Sequence, residues 1–171
     1  MADNRDRTVW SVPVQLAEVP ETGLHVELEA PDTVRASIAD LAGLRDLPEF
    51  TASFDVTHRG AGLRVTGRVH GEVGQTCVVT LEPVANTIDE KVDLLFLPGA
   101  PEPHAEGDPD EGAPEPLANG RIDLGAIATE FLVLGIDPYP RKPGVAFEPP
   151  APDSNSAHPF AALAALKKDK A

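Results

Sequence analysis

Cys77 is the only cysteine in a chain of 171 residues, and it is the first residue whose type could carry chemistry. A thiolate acts as a nucleophile or a metal ligand, but each role needs company. For a nucleophile, a histidine and an orienting carboxylate must stand close by. Around Cys77 there is no known nucleophile signature, and only His70 precedes it at strand spacing. A single thiolate cannot make the usual structural zinc site, which gathers several protein ligands. His25, His58, His70, His104 and His158 supply no i, i+4 pair on a predicted helix. The chain also lacks G-x-x-x-x-G-K-[ST], G-x-G-x-x-G and G-x-S-x-G, the commonest nucleotide-binding and hydrolase signatures. The plain reading of Cys77 is a packed thiol, and no metal or cofactor is expected.

Two other sets of residues could act by contact. Arg64, Arg68 and His70 alternate with apolar residues on one strand, so they project from the face opposite the core, and His58 and Arg59 lie near the tip of the same hairpin. Arg59, Arg64, Arg68 and His70 are therefore the candidate RNA contacts, against the plainer reading of a solvated strand face balanced by Glu72 and its neighbours. Glu72, Glu82 and Asp93 are carboxylates that would have to converge on a divalent metal if the chain were a hydrolytic or processing enzyme. Dispersed acids on strands look the same when they are only solvated.

The block Gly71-Glu72-Val73-Gly74-Gln75-Thr76-Cys77-Val78-Val79-Thr80-Leu81-Glu82-Pro83-Val84, followed by the alternating run Ile88 to Phe96, resembles the centre of the YceD family. The likeness continues through Ile122-Asp123-Leu124-Gly125, Pro138-Tyr139-Pro140-Arg141 and the closing Pro159 to Lys167, about residues 10 to 168. Cys77, Leu81, Glu82 and Pro83 are the family-motif residues. Many family members carry a second cysteine where this chain has Thr80, so no metal is carried over. The resemblance implies a bacterial factor needed for accumulation of large-subunit (23S) ribosomal RNA, and it supplies no reaction.

The elements that must position these residues follow from periodicity. Residues 9–16 and 24–29 alternate apolar and polar and read as short strands, with Pro13 keeping the first at an edge. Between Pro31 and Leu44 the period becomes helical, with Val34, Ile38, Leu41 and Ala42 on one face, Asp32 or Thr33 as cap, and Gly43 near the end. Phe50, Ala52, Phe54 and Val56 share one strand face, and Leu63, Val65, Gly67, Val69 and Gly71 another, joined as a hairpin through Arg59-Gly60-Ala61-Gly62. Ile88, Glu90, Val92, Leu94 and Phe96 extend the pattern, with Glu90 on the apolar side and expected near a strand end. A second helix is predicted over 122–134, its stripe Leu124, Ile127, Ala128, Phe131 and Leu134 lying across a sheet face.

Between Pro98 and Ala118 stand six prolines, three glycines, six acidic residues and no basic one, a composition that cannot offset its ordering entropy and predicts a disordered loop. Residues 1–136 then make one domain containing that loop at 98–118, followed by a proline-rich linker at 137–158 and a short amphipathic helix at 159–171. The stripe Phe160, Leu163, Leu166 with Lys167 is the candidate partner-binding element, set against docking on its own domain.

Charge limits the partners. Fourteen basic against 28 acidic residues leave a net charge of −14, which repels phosphate backbones at long range, so any RNA contact must be local. A basic partner such as a ribosomal protein or processing factor fits better. The polar N-terminus and the absence of a long apolar run predict a cytoplasmic protein without a membrane segment. The expected fold is α+β: an antiparallel sheet of five or six strands, open or curled into a partial barrel, packed by two main helices. The expected function is non-enzymatic support of large-subunit ribosomal RNA through an assembly intermediate, a ribosomal protein or a processing factor. A metal-dependent enzyme and an adaptor without RNA contact are the alternatives.

Overall fold

Three long strands organise the molecule. The computed structural model describes residues 9–99 and 114–147. Along the chain run β1 (Pro13–Gln15), β2 (Leu24–Glu29), α1 (Asp32–Ala42), β3 (Asp46–Arg59), β4 (Gly62–Thr76), β5 (Pro83–Leu97), β6 (Glu115–Pro116), β7 (Arg121–Asp123) and α2 (Leu124–Leu134). One sheet has the order β2-β3-β4-β5-β6, antiparallel except for the short parallel pair β5–β6, and β1 pairs with β7 in a second, two-stranded sheet. The fold is α+β, with no closed barrel among the described residues.

Period-two alternation drives this arrangement, because one face of each strand is apolar enough to leave water. Phe50, Ala52, Phe54 and Val56 on β3, Leu63, Val65, Val69 and Val73 on β4, and Ile88 and Val92 on β5 are buried together. The β3–β4 hairpin turns through Gly60 and Gly62 with Arg59 opposite Gly62, as its sequence predicts. α2 lies over the apolar face. It can come close because Gly71 has no side chain: a Cβ there would stand 2.6 Å from Leu132 Cδ1. Trp10 packs edge-on against Phe50 with ring centroids 5.1 Å apart, tying the N-terminal segment to the sheet.

Several expectations need correcting. α1 buries Ile38 and Ala39, whereas Leu41 is 68% exposed, because the sheet covers a narrower stripe than the sequence spacing suggests. Its N-cap is Pro31 without a side-chain cap, and Asp32 instead pairs with Arg35 at 2.6 Å. α2 starts only at Leu124. Residues 121–123 are drawn into β7, and the Asp123 side chain caps the helix by accepting from the amides of Gly125 and Ala126. Leu132 rather than Leu134 is its last buried residue, and Leu134 is 72% exposed. Glu90 lies well inside β5, opposite Val69 and not at a strand end. Gly135 makes room for it, since a Cβ there would meet Glu90 Oε1 at 3.1 Å.

Of the expected acidic loop at 98–118, residues 100–113 lie outside the described residues, and Glu115–Pro116 near its end pairs with Phe96 and Leu97. The expected linker at 137–158 divides in the same way. Residues 137–142 are bound to the body, while 148–158 and the expected helix at 159–171 lie outside the described residues. No helix among the described residues is long and apolar enough to cross a membrane.

Candidate functional site

The turn from β4 to β5 is a knuckle of residues 77–82 closed by its own backbone. The Cys77 amide donates to the Glu82 carbonyl at 2.9 Å and the Leu81 amide to the Cys77 carbonyl at 2.9 Å. This closure requires a left-handed residue at position 81, a place suited to glycine. Leucine occupies it, with φ of 60°. Its side chain points to solvent and is 76% exposed, and Val78 on the same turn is 44% exposed. Pro83 opens β5, where a strand tolerates a missing amide donor.

A second segment is bound along this knuckle from about sixty residues further on. The Val78 amide donates to the Pro140 carbonyl at 2.9 Å, and Gln75, buried at the end of β4, donates to the Asp137 carbonyl at 2.8 Å. Asn86 on β5 completes Gln75 by donating to its Oε1 at 2.7 Å. The Lys142 amide approaches Cys77 Sγ at 3.5 Å, and Lys142 Nζ pairs with Glu82 at 2.8 Å. Residues 137–142 thus form a strap bonded to the turn and the end of β4 through Asp137, Pro140 and Lys142, with Tyr139 70% exposed.

Cys77 sits at the centre, fully buried. Its sulfur accepts from the Thr80 amide and the Lys142 amide, each at 3.5 Å. The Thr80 hydroxyl first, and then these amides, hold the thiol down at about 6 from its ordinary 9.0, against the opposing push of burial. Lys142 likewise holds the Glu82 carboxyl below its ordinary value. Among the described residues the thiol has no histidine partner, and its burial leaves no open approach. Its hydrogen bonds instead join the turn to the strap. Thr80 serves that junction directly.

The basic stripe is laid out differently. Arg64, Arg68 and His70 do project from the polar face of β4, as the alternation predicts. Arg64 makes a two-pronged contact with Asp93 at 2.9 and 2.7 Å, Arg68 reaches both oxygens of Asp89 at 3.0 Å, and His70 stands 4.0 Å from Glu49. Across the same face His25 binds Asp55 at 2.8 Å, which raises its pKa, with Glu27 contributing next. Arg59 is exposed at the hairpin tip. A groove of about 370 Å³ runs beside the stripe, with Arg68 and His70 on one wall and Glu27 and Glu29 on the other.

Glu72, Glu82 and Asp93 are not brought together: Glu72 lies on β4, Glu82 pairs with Lys142 and Asp93 with Arg64. Among the described residues no three histidine, cysteine, aspartate or glutamate side chains gather as a metal site. Phe160, Leu163, Leu166 and Lys167 lie outside the described residues. The strap is what reading the sequence by residue type missed. Its signal was the recurrence of both segments, 71–84 and 138–141, in one family resemblance, which does not itself say that they touch.

Compared with known families, residues 65–167 match YceD, described as large ribosomal RNA subunit accumulation protein YceD. No curated protein and no solved structure matches the chain. The matched stretch takes in most of β4, the knuckle, the strap and the tail.

Proposed function

The chain belongs to the YceD family, whose description ties it to accumulation of large-subunit ribosomal RNA, and from that premise we propose that it acts as a ribosome-biogenesis factor by binding rather than by catalysis. The contact surface is the knuckle and its strap. One observation carries this reading: a hydrogen-bonded, buried base holds Val78, Leu81 and Tyr139 outward, including a leucine kept in a left-handed conformation that favours glycine. Backbone strain beside an exposed apolar side chain is a cost to the fold that binding can offset.

The partner is a protein: a ribosomal protein or processing factor on an assembly intermediate. Its binding would shield immature RNA from degradation. The net charge of −14 favours a basic partner over a bare phosphate backbone. Direct RNA contact through Arg59, Arg64, Arg68 and His70 is the weaker reading, because three of the four already face a carboxylate.

The test is the ratio of large- to small-subunit ribosomal RNA in cells lacking the protein, complemented by the wild type or by Leu81→Asp/Tyr139→Ala. Selective loss of large-subunit RNA, restored by the wild type and not by the variant, is expected. An unchanged ratio in the depleted cells would overturn the function. Full rescue by the variant would move it away from the knuckle, and charge reversal at Arg64 and Arg68 would then ask whether the stripe carries it.

A further inference from the structure

We propose that the outer edge of β5 pairs with β5 of a second copy of this chain, antiparallel about a two-fold axis at Glu90, joining the two sheets into one. β5 is 15 residues long and pairs with β4 without a break from Phe96 opposite Leu63 to Pro83 opposite Thr76. On its other side, among the described residues, it is paired only at Phe96 and Leu97, by β6. Sheet edges are ordinarily kept short, bent by a bulge or interrupted by proline. The opposite edge strand, β2, is short at 6 residues. β5 has none of these devices over residues 84–95: its one proline precedes them, and its register against β4 has no bulge.

The backbone of that edge is set to receive a strand. The Cys77 amide donates to the Glu82 carbonyl, so these two residues form a hydrogen-bonded antiparallel pair, and such pairs recur at every second residue. Even-numbered residues of β5 therefore turn their N–H and C=O toward β4, and odd-numbered ones turn theirs outward. The Leu97 carbonyl agrees with this, accepting from the Leu117 amide on the outer side at 3.0 Å. Ala85, Thr87, Asp89, Lys91 and Asp93 thus present backbone donors and acceptors along an edge where their side chains are also exposed. Antiparallel pairing about Glu90 sets odd residues opposite odd ones, so each of these groups finds a partner.

The side chains favour a second copy as the occupant. About that axis Asp89 stands opposite Lys91 of the second copy, and by symmetry the ion pair forms twice. On the apolar face Ile88 meets Val92, also twice. Within one chain Lys91 faces the like charge of Arg68 across β4, a contact that a carboxylate on its other side relieves. An axis at Asp89 or at Lys91 would set that residue against itself. An axis at Val92 keeps a pair between Lys91 and Asp93 but shortens the contact to residues 89–95, because β6 already takes Phe96 and Leu97. Residues 100–113 compete poorly on composition: three prolines lack a donor, and five acidic residues with no lysine or arginine would bring like charge to Asp89 and Asp93. The unfavourable contact is Glu90 against its own copy, which limits the affinity.

This inference does not rest on the knuckle. Antiparallel pairing carries the two knuckles to opposite ends of the joined sheet and leaves both uncovered.

The test is the mass of the full chain by sedimentation equilibrium from micromolar to submillimolar concentration, with amide exchange followed over the same range. The mass should rise from 18.1 kDa toward twice that value. As it does, the amides of Thr87, Asp89, Lys91 and Asp93 should slow by about tenfold or more, while those of Ile88, Glu90 and Val92, bonded to β4, stay slow throughout. Lys91→Asp should weaken the dimer by about tenfold, since each dimer carries the pair twice, and Asp89→Lys/Lys91→Asp should restore it to within about threefold of wild type. Glu90→Gln should tighten it by about threefold. A chain that stays at 18.1 kDa overturns the proposal. It does so whether the odd-numbered amides exchange freely, which leaves the edge open, or are protected at every concentration, which assigns the edge to the chain's own residues. A dimer indifferent to Lys91→Asp, or one that the double variant does not restore, overturns it as well, because the contact then lies elsewhere.

Discussion

The polar sheet face and the knuckle satisfy their chemistry in opposite senses. On the sheet, charged groups are exposed and neutralise one another: Arg64 with Asp93, Arg68 with Asp89, His25 with Asp55. At the knuckle the polar groups are turned inward, with Gln75 and Cys77 buried and bonded to the strap, and the apolar side chains of Val78, Leu81 and Tyr139 face water. The first surface has already met its own needs. The second has met its needs inside and left an unmet one outside. Residue type offered the sheet face as a candidate RNA contact against the plainer reading of a solvated face, and its pairing favours the plainer reading.

The sharpest way to break the comparison is through the sheet itself. Gly67 stands between Thr66 and Arg68, and a Cβ there would run into the Ser53 carbonyl oxygen and the backbone of Phe54. Backbone cannot step aside as a side-chain tip can, so Gly67→Ala is expected to destabilise the fold by about 3 kcal/mol, read as a lowered urea midpoint. The knuckle has no equivalent dependence on close strand approach. Its dependence is on the strap, and the next largest effect should come from Gln75→Ala. That change leaves the Asp137 carbonyl and the Asn86 amide without their buried partner, at about 2 kcal/mol. Amide exchange should rise at Val78 and Lys142 and remain slow in the middle of β3 and β4.

How far each region could be read from the sequence follows from the range of the forces that build it. Alternation at Phe50, Phe54, Leu63 and Val69 is local, so the strands and the hairpin were legible, as was the face from which Arg64 and Arg68 project. Capping by Asp123 and burial of Leu132 in place of Leu134 depend on what packs against α2, and periodicity alone started the helix at 122 and ended its stripe at Leu134. Pairing of Arg68 with Asp89 depends on the register of β4 with β5, which no single-strand pattern contains. The knuckle was legible only as a block around a notable cysteine. Its attachment to Pro140 and Lys142 is a contact between distant segments, visible beforehand only as two motifs of one family. Leu81 shows the limit most clearly: nothing about a leucine announces a left-handed backbone.

Titration separates the two regions further. The Cys77 thiol is held at about 6 in the fold against 9.0 ordinarily, so the folded state favours the thiolate. Stability from this group is fully present above pH 9 and is lost as pH falls toward 6. The difference in unfolding free energy between wild type and Cys77→Ala, followed by urea titration from pH 6 to 9, should therefore widen with pH. Charges of the sheet face cancel in that difference. A flat curve would mean that the amides of Thr80 and Lys142 do not hold the thiolate, and the knuckle would then be ordinary packing.

The sheet pairs should respond least among the destabilising changes. Arg68 and Asp89 are both well exposed, with side-chain exposures of 58% and 50%, so Arg68→Ala should shift stability by at most about 1 kcal/mol, and less at high salt. A larger, salt-resistant loss would restore the stripe as a structural centre and weaken the contrast with the knuckle.

The smallest expected effect is the most informative because its sign is reversed. Leu81→Gly removes a side chain from a position with φ of 60°. The left-handed conformation costs a leucine about 1 to 2 kcal/mol, and the greater freedom of glycine in the unfolded chain returns about half of that gain, leaving a net stabilisation of about 0.5 kcal/mol. A denaturant midpoint that rises while support of large-subunit ribosomal RNA falls would locate the reason for leucine outside the fold, in what the knuckle touches. A midpoint that falls would show Leu81 packing within the protein, where its 76% exposure gives it little to pack against. The two regions would then differ in pairing but not in purpose, and the case for the knuckle as the contact surface would rest on Val78 and Tyr139 alone.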